Sequence, residues 1–360
     1  MRAPAKVGDR LEDVDTPALI LDLDAFEANQ KTLFSSVRNR VRIRPHAKTH
    51  KCPDVAKRQI ALGAVGMCCQ KVSEAEAMVE GGVADVLVSN EVVGAKKLER
   101  LAALSRRAKI GVCVDNAESL AQLRGDIDVY IELEVGMRRC GVEPGEAVVA
   151  LAKQITKHHR FAGLQAYHGR AQHMRSMEER HAVIERAAQH VLHTKKLLEK
   201  NKIACPIVTG AGSGTYMLEV EAGAWDELQP GSYIFMDVDY AKNEWAAPLP
   251  RFEHALFVLA TVMSRPAADR AIVDAGLKAS SVDSGLPQVW NRKGLTYRGA
   301  SDEHGSIDIA PGAEAPTLGE KLYLVPGHCD PTVNLYDFYV CVRDGRVEAL
   351  WPITARGAVN

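Results

Sequence analysis

The sequence has no surplus of charge of either sign and no long apolar run. Its 360 residues include 45 Lys and Arg against 46 Asp and Glu, which leaves a net charge of −1. A balanced chain offers no basic face on which to expect nucleic acid or an anionic membrane. No uninterrupted apolar run approaches the roughly 18 residues that a membrane-spanning helix needs. Nucleic-acid and membrane partners are therefore not expected.

The opening residues, MRAPAKVGDRLEDVDTP, lack the apolar core of a secretory signal, so we expect the protein in the cytoplasm. The eight cysteines are scattered and form no CxxC pair, which argues against a zinc knuckle or a redox switch. A reducing compartment keeps most cysteines as thiols. Most of them lie in apolar runs, and we expect them to be small core residues.

Short β-rich runs alternate with amphipathic helical stretches up to about residue 250. Helices are predicted at 73–81, 92–105, 145–157 and 176–200, and Ser73 with Glu76 matches a capping box at the start of the first. Such alternation predicts a parallel sheet with helical crossovers. Nine strands are predicted, at 18–23, 41–46, 65–70, 85–90, 109–115, 128–134, 162–168, 205–210 and 232–237. The last eight would close a TIM-like (β/α)₈ barrel, which makes the fold class α/β.

After about residue 250 the helix signals fade. Runs such as HALFVLATVMS, EKLYLVPG and DFYVCVRDGRVEALWPIT indicate strands separated by turns. We therefore predict a C-terminal all-β domain. The predicted division is a strand in 1–25 that joins the β domain, the barrel in 26–248, and the β domain in 249–360.

Lys48 lies in the segment RPHAKTHKC, residues 44–52, just after the first barrel strand. For an arbitrary lysine, plain solvent exposure is the commoner interpretation. At the mouth of a barrel, however, an amine in a crowded, partly dry and cationic site has a lowered pKa and attacks carbonyl groups. His46, His50 and Lys51 would supply that crowding. Other polar residues that follow strands towards the same mouth are Gln70, Asn90, Asp115, Arg139, Tyr167, His168 and His173.

The loop GAGSGT, residues 210–215, follows an apolar strand and exposes backbone N–H groups, which can cradle a phosphate. Its glycine spacing does not match a dinucleotide fingerprint, and a plain glycine-rich turn is about as good an interpretation. The segment PGS, residues 230–232, could add donors to the same phosphate. Arg139, in GMRRCG, is a permanently charged partner for a phenolate. An imine-forming lysine, a phosphate cradle and a phenolate partner together indicate pyridoxal phosphate.

His328 and Asp330 lie two residues apart in PGHCDPTVNLYD, residues 326–337. In an extended chain both side chains would leave on one face, with Cys329 opposite. An imidazole and a carboxylate suit Mn²⁺, Zn²⁺, Co²⁺ or Mg²⁺ with water in the remaining positions. A turn with a hydrogen-bonded histidine is the competing interpretation, because two ligands are a weak metal signature.

These residues resemble the D-threonine aldolases, within the alanine-racemase-like (fold type III) pyridoxal-phosphate enzymes. The motifs that carry the resemblance extend over nearly the whole chain: DTPALILDL, RPHAKTHKCP, CCQKVSEAEAM, VSNEVVG, GMRRCGV, LQAYHG, GAGSGT, ELQPGSYIFMD, VDAGLK, SDEHG and VPGHCDPTVNLYD. The resemblance implies a homodimer with a partly shared active site. It also implies cleavage of a D-β-hydroxy-α-amino acid to glycine and an aldehyde.

The resemblance also implies roles for individual residues. Lys48 matches the lysine that forms an imine with the cofactor, and His173 matches the proposed base near the substrate hydroxyl. The predicted metal pair is His328 and Asp330, with Mn²⁺ favoured over Mg²⁺, Co²⁺ or Zn²⁺. The predicted cofactor-binding residues are Lys48, Gln70, Arg139, Tyr167, Ser213, Gly214, Thr215, Gly231, Ser232 and Tyr233.

One departure bears on the reaction. Dehydratase relatives that act on D-serine or D-threo-3-hydroxyaspartate commonly have His-x-Cys at the metal pair, whereas this chain has aspartate at 330. That favours the aldolase and a harder metal. A dehydratase of the same fold is the main alternative, ahead of a racemase and of a non-catalytic pyridoxal-phosphate carrier. The preferred Cβ substituent stays open, as does the role of Asp302, Glu303 and His304.

Overall fold

The structure is a computed structural model that describes residues 2–37, 40–245 and 249–360. Its strands are β1 (Ala18–Asp22), β2 (Arg42–Ile43), β3 (Met67–Cys69), β4 (Asp85–Glu91), β5 (Lys109–Val114), β6 (Ile127–Glu132), β7 (Arg160–Ala166), β8 (Ile207–Gly210), β9 (Glu227–Leu228), β10 (Leu256–Ala267), β11 (Arg270–Val273), β12 (Gln288–Val289), β13 (Leu295–Ala300), β14 (Gly305–Ile309), β15 (Lys321–Val325), β16 (Phe338–Arg343) and β17 (Arg346–Pro352).

The helices lie mostly between the barrel strands. They are α1 (Leu23–Val37), α2 (Pro53–Ala61), α3 (Val72–Glu80), α4 (Ala95–Leu104), α5 (Ala117–Gln122), α6 (Glu146–Ile155), α7 (Met177–Lys200), α8 (Tyr216–Ala222), α9 (Val238–Ala241) and α10 (Cys329–Val333). Short 3₁₀ helices cover Leu11–Asp13, Gly169–His173 and Ser232–Ile234. No helix in the described ranges is long and apolar enough to cross a bilayer.

Eight parallel strands form the barrel in the order β2-β9-β8-β7-β6-β5-β4-β3. The two ends of this sheet meet, since the N–H of Cys68 donates to the carbonyl of Pro45 at 2.8 Å and the N–H of Ala47 donates to the carbonyl of Cys68 at 2.7 Å. The predicted (β/α)₈ barrel is confirmed. Its strands are buried along nearly their whole length, as expected for a parallel sheet covered by helices.

The eighth barrel strand differs from the prediction. The segment 232–237 was expected to be this strand, but it begins with the 3₁₀ helix Ser232–Ile234, and the two-residue strand β9 pairs with β2 and β8 instead. The apolar side chains of Tyr233, Ile234 and Phe235 are fully buried in the core. Their burial explains why the segment resembles a strand in sequence, because apolar content alone does not distinguish a strand from a packed turn.

The C-terminal strands form a nine-stranded, mostly antiparallel sheet. Strand β1 lies inside this sheet, antiparallel to β10 and parallel to β16, with Ile20 facing Phe257 on one side and Val340 on the other. Strands β12 and β13 were not predicted. The division into 1–25, 26–248 and 249–360 stays a proposal, and its second boundary adjoins residues outside the described ranges.

Helix α3 is capped differently from the predicted Ser73/Glu76 box. Glu74 takes that position instead, because its Oε2 accepts hydrogen bonds from the N–H groups of Gln70 (2.8 Å) and Lys71 (3.2 Å). Glu76 forms an ion pair with Arg100 of α4. The other carboxylate oxygen of Glu74 binds Lys51 Nζ at 2.5 Å. The start of α3 is thereby tied to the loop that carries Lys48.

Candidate active site

A cavity of about 130 Å³ lies at the C-terminal ends of the barrel strands. It is lined by His46, Lys48, Thr49, Gln70, Ser89, Arg139, Gln165, Tyr167, His173, Ala211, Gly212, Ser213, Gln229, Gly231, Ser232, Tyr240, His328 and Asp330. Most of the residues predicted from sequence are therefore brought together. A wider groove of about 670 Å³ between α5 and α6 contains none of them.

Lys48 and Asp330 meet across this cavity, although they lie at opposite ends of the sequence. The Nζ of Lys48 is 3.9 Å from Oδ2 of Asp330, and the lysine side chain is 39% exposed. Burial lowers the pKa of Lys48, but the opposing effect of Tyr167 and Asp330 is larger. The net pKa of Lys48 is therefore above its ordinary value. Burial likewise raises the pKa of Asp330, while Lys48 and His328 lower it to a net value below normal.

The prediction that neighbouring positive charges lower the pKa of Lys48 is wrong. Burial lowers the pKa of both His46 and His50 to about 3, so both rings are neutral near pH 7 and contribute no full charge. Lys51 is turned away from the cavity by a left-handed backbone (φ 52°) and binds Glu74. The neighbours of Lys48 in sequence are therefore not the charges that act on it.

His46 closes the base of the Lys48 loop. Its Nδ1 accepts the N–H of Lys48 at 3.3 Å, and its Nε2 lies 3.2 Å from Oε1 of Gln70. Since the amide oxygen only accepts, Nε2 carries the proton and the ring has one defined tautomer. The predicted residue Gln70 thus lines the cavity and also fixes the orientation of the imidazole.

Arg139 and Tyr167 lie side by side on the cavity wall. The guanidinium carbon of Arg139 is 5.7 Å from the centroid of the Tyr167 ring, within the range of a cation–π contact. One guanidinium nitrogen is 3.5 Å from Oε1 of Glu132, which is almost fully buried behind it. The arginine is 43% exposed, so its outer face remains open to the cavity.

Two glycine-containing segments supply backbone donors to the cavity. Among the residues that the structure describes, the N–H groups of Gly212, Ser213 and Gly231 have no hydrogen-bond acceptor. A Cβ at Gly231 would lie 2.4 Å from Oγ1 of Thr49, and one at Gly212 would lie 2.5 Å from Oε1 of Gln172. Both glycines are needed for the two segments to approach their neighbours this closely.

Three predicted cofactor residues lie behind this wall. The N–H of Gly214 donates to Oε1 of Gln172 at 2.9 Å, and Oγ1 of Thr215 bonds both Gln172 and Glu219. Tyr233 is fully buried, and its backbone N–H donates to Oγ of Ser213 at 2.8 Å. These residues support the loop, and their contact with a cofactor stays a prediction.

His173 is held by a partner that the sequence did not reveal. Its Nδ1 is 2.6 Å from Oδ2 of Asp239, and the other oxygen of Asp239 pairs with Arg175. A carboxylate only accepts, so the Nδ1–H of His173 donates and the neutral ring carries its lone pair on Nε2. Burial raises the pKa of Asp239, but Arg175 and His173 lower it to a net value below normal.

His328 and Asp330 line the same side of the cavity but not as an extended pair. His328 has extended backbone, whereas Asp330 lies in the first turn of α10, which begins at Cys329. The Nδ1 of His328 is 2.8 Å from Oδ2 of Asp283. In the neutral ring this carboxylate–imidazole contact leaves Nε2 with the lone pair, the arrangement found behind metal-binding histidines. The described residues contain no cluster of three or more His, Cys, Asp or Glu suited to a metal.

Sequence reasoning missed several residues of the cavity and its surroundings, most of them in loops or short helices. In loops or the short helix α9 they are Thr49, Gln229, Tyr240, Asp239 and Asp283, whereas Ser89 and Gln165 lie in strands β4 and β7. For Gln229 a signal existed, since it directly follows the two-residue strand β9, which was not predicted. Asp302, Glu303 and His304 are exposed and do not line the cavity, although Glu303 pairs with Lys278.

The fold and site are of the alanine racemase class. The family model described as "Alanine racemase, N-terminal domain" matches residues 21–239, and "Putative serine dehydratase domain" matches residues 255–342. The chain is 52% identical over 364 residues to D-threonine aldolase of Arthrobacter sp, covering 98% of this chain and 96% of that protein. Over 370 residues it is 45% identical to 3-hydroxy-D-aspartate aldolase of Paracoccus denitrificans, covering 98% and 95%.

Solved structures agree with this grouping. D-threonine aldolase from Filomicrobium marinum superposes with a TM-score of 0.97 at 51% identity, covering 100% of both chains. D-threo-3-hydroxyaspartate dehydratase from Delftia sp. HT23 reaches 0.85 at 27% identity, covering 96% of this chain and 98% of that one. The chain belongs to the D-threonine aldolase family, as its motifs had indicated.

Proposed function

We propose that the protein is a lyase that cleaves D-threonine and related D-β-hydroxy-α-amino acids to glycine and an aldehyde, with pyridoxal phosphate and a divalent metal. The main observation is that Lys48 Nζ and the Asp330 carboxylate lie 3.9 Å apart in one cavity. Two relatives more than 40% identical over nearly the whole chain are also aldolases of D-β-hydroxy amino acids.

The cavity fits pyridoxal phosphate, which membership in this family implies. Lys48 supplies the amine, and the unpartnered N–H groups of Gly212, Ser213 and Gly231 would hold the phosphate. Arg139, with its open guanidinium face, would pair with the phenolic oxygen, and Tyr167 lies beside Arg139. When bound, the cofactor supplies an electron-accepting ring that stabilises negative charge on the substrate's α-carbon.

The donor set at His328 and Asp330 fits a divalent metal with most of its coordination completed by water. An imidazole with one carboxylate and no thiolate suits Mn²⁺ or Mg²⁺ better than a structural zinc site. We favour Mn²⁺. Asp283 would fix the ring of His328 through Nδ1, and Asp237 would fix the turn, since its Oδ2 accepts the N–H of Cys329 at 2.9 Å.

His173 is the group best suited to move the substrate's hydroxyl proton. Its Nε2 lone pair is available because Asp239 holds Nδ1–H, and the ring lines the cavity. Loss of that proton starts the cleavage between the α- and β-carbons, which leaves an aldehyde. Tyr240 packs on the His173 ring at 5.2 Å between centroids and helps to hold it at the cavity wall.

An aldehyde-coupled assay with D-threonine tests the proposal, because equimolar glycine and acetaldehyde are expected. Lys48→Ala should lose the visible absorbance of the bound cofactor together with the activity. Lys57→Ala, a change at an exposed lysine on α2, is the matched control and should keep both. Absence of aldehyde from the wild-type protein over a panel of D-β-hydroxy amino acids would reject the proposal.

A dehydratase is the second candidate, because the serine dehydratase domain model matches residues 255–342. It would release ammonia and a keto acid instead of an aldehyde, so measuring both products distinguishes the two. Aspartate at 330 and the lower identity of the dehydratase relative favour the aldolase. We further propose a homodimer located in the cytoplasm, and ultracentrifugation of the purified protein tests the first of these.

A further inference from the structure

Two carboxyl groups beside the cavity have no role in the reaction proposed above. Glu132 ends strand β6 and is 4% exposed, and Glu91 ends strand β4. Within the described residues, Oε2 of Glu132 and Oε1 of Glu91 are buried and have no hydrogen-bond partner. A buried carboxylate oxygen without a hydrogen bond lowers the stability of the folded protein, so two of them next to a binding cavity suggest a functional role.

The one permanent charge at this pair is Arg139. Its guanidinium lies 3.5 Å from Oε1 of Glu132, on the side away from the cavity. Burial and the neighbouring Glu91 raise the pKa of Glu132 to about 8, against the opposing effect of Arg139. Burial also raises the pKa of Glu91. Near neutral pH the pair therefore does not carry two negative charges, and Arg139 is not fully neutralised from behind.

We propose that Glu132 is a positioning residue for Arg139: its buried carboxyl group holds the guanidinium against the cavity wall and leaves the outer face of the arginine available to an anionic oxygen in the cavity. This inference rests on the proposed function, which assigns that oxygen to the phenolic group of pyridoxal phosphate. A fully ionised Glu132 would instead compete with the cofactor for the same guanidinium.

The other groups near Glu132 do not add a charge that would offset Arg139. Cys113 of β5 approaches its carboxyl group, and burial raises the pKa of that thiol well above its ordinary value. Cys140, next to Arg139, has a pKa raised to about 11 by burial and by Glu91. Strand β7 contributes only the neutral amide of Gln165. Asp115, at the end of β5, faces Glu91 rather than Glu132.

The test compares three variants for cofactor binding and for the pH dependence of the bound-cofactor absorbance. Glu132→Leu should weaken pyridoxal-phosphate binding to apoprotein by about tenfold, because the guanidinium of Arg139 loses the contact that positions it. Glu132→Gln keeps the neutral form permanently, so it should bind nearly normally and lose a spectral transition near pH 8. Asp128→Asn is the matched control, because Asp128 lies at the opposite end of the same strand and pairs with Arg160.

The outcomes separate this inference from the proposed function. If Glu132→Gln keeps the transition near pH 8, or Glu132→Leu binds the cofactor as tightly as wild type, the inference is overturned while the aldolase proposal stands. If Glu132→Leu does not fold, the Glu132→Gln titration alone decides. A wild-type protein that binds no pyridoxal phosphate overturns both. Equal effects of Asp128→Asn on binding would mark a general loss of barrel stability and overturn the inference.

Discussion

Lys48 is surrounded by charges that its sequence neighbours do not supply. The flanking histidines are too deeply buried to be charged at neutral pH, and Lys51 points to Glu74. The groups that raise the pKa of Lys48 come from residues 167 and 330. That Lys48 lies in the cavity was predictable from its motif, but its electrostatic environment was not, because that depends on residues brought close only by folding.

The His173–Asp239 contact predicts a selective effect on turnover. Asp239→Asn removes the negative charge that fixes the imidazole tautomer, so we expect kcat to fall by roughly 10- to 100-fold with KM nearly unchanged. Steady-state kinetics of D-threonine cleavage provides the measurement. Glu178→Gln, a change in the exposed first turn of α7, serves as the control. Unchanged kcat in Asp239→Asn would show that the dyad does not orient the base.

Glu219 predicts a pH dependence of stability. Burial raises its pKa from 4.5 to about 8, so the folded state binds this proton more tightly than the unfolded state. Its contribution to the free energy of unfolding is therefore full below about pH 4.5 and is lost as the pH rises towards 8. Glu219→Gln should flatten this slope in urea denaturation and stabilise the protein at alkaline pH.

The matched control for this measurement is Glu221→Gln, two residues along α8 at an exposed position. It should leave the slope between acidic and alkaline pH as in the wild type. An unchanged slope in Glu219→Gln would contradict the assignment of the pH dependence to the buried carboxyl group.

At the scale of the element, prediction worked where a segment was long and periodic. Helix α7 and the strands β4 to β6 lie close to their predicted bounds. The strand β9 was missed because two residues, Glu227 and Leu228, are too few to show the alternation of apolar and polar residues that indicates a strand. The apolar segment 232–237 was predicted as the eighth barrel strand instead. The His-x-Asp segment was predicted as extended, yet it begins a helix in which Pro331 occupies the first turn, a position that proline tolerates.

The buried pair between Lys51 and Glu74 predicts the largest stability effect. It ties the Lys48 loop to α3, and Lys51 Nζ also lies 3.5 Å from the carbonyl of Ala355 near the C-terminal end of the sequence. Glu74→Gln leaves a buried ammonium without its carboxylate, which should cost about 3 kcal/mol in the free energy of unfolding. Chemical denaturation provides the measurement.

Glu76→Gln is the internal comparison for that experiment. Glu76 lies on the same helix and pairs with Arg100, but both side chains are roughly one-quarter to one-third exposed, at 27% and 33%. Its loss should cost less than about 1 kcal/mol. Equal costs for the two variants would show that burial does not govern the contribution of these pairs.

At the scale of the whole molecule, the site combines residues from the barrel with residues from the later, β-rich part of the chain. The barrel provides Lys48, Arg139 and the glycine-rich segments, and the later part of the chain provides His328 and Asp330. Both sets were predictable from their motifs, and so was the barrel. The 3.9 Å distance between Lys48 Nζ and Asp330 Oδ2 was not predictable, because the relative position of two segments distant in sequence depends on packing that no local pattern encodes.

This arrangement predicts that metal and cofactor can be removed separately. Chelation should abolish aldehyde formation while the bound-cofactor absorbance persists, since Lys48 and the segments proposed to hold the phosphate belong to the barrel. Added Mn²⁺ should restore activity, and His328→Ala should reproduce the chelated state without rescue. Undiminished turnover after exhaustive chelation would end the metal-assisted version of the proposal.

Strand β1 has a consequence for how the protein is made. In the part of the chain that the structure describes, its partners are β10 and β16, both of which are translated more than two hundred residues after it. During synthesis this apolar segment, ALILD, must therefore wait unpaired while the intervening barrel strands emerge. The interval between the first strand and its partners is when the nascent chain most needs protection from aggregation.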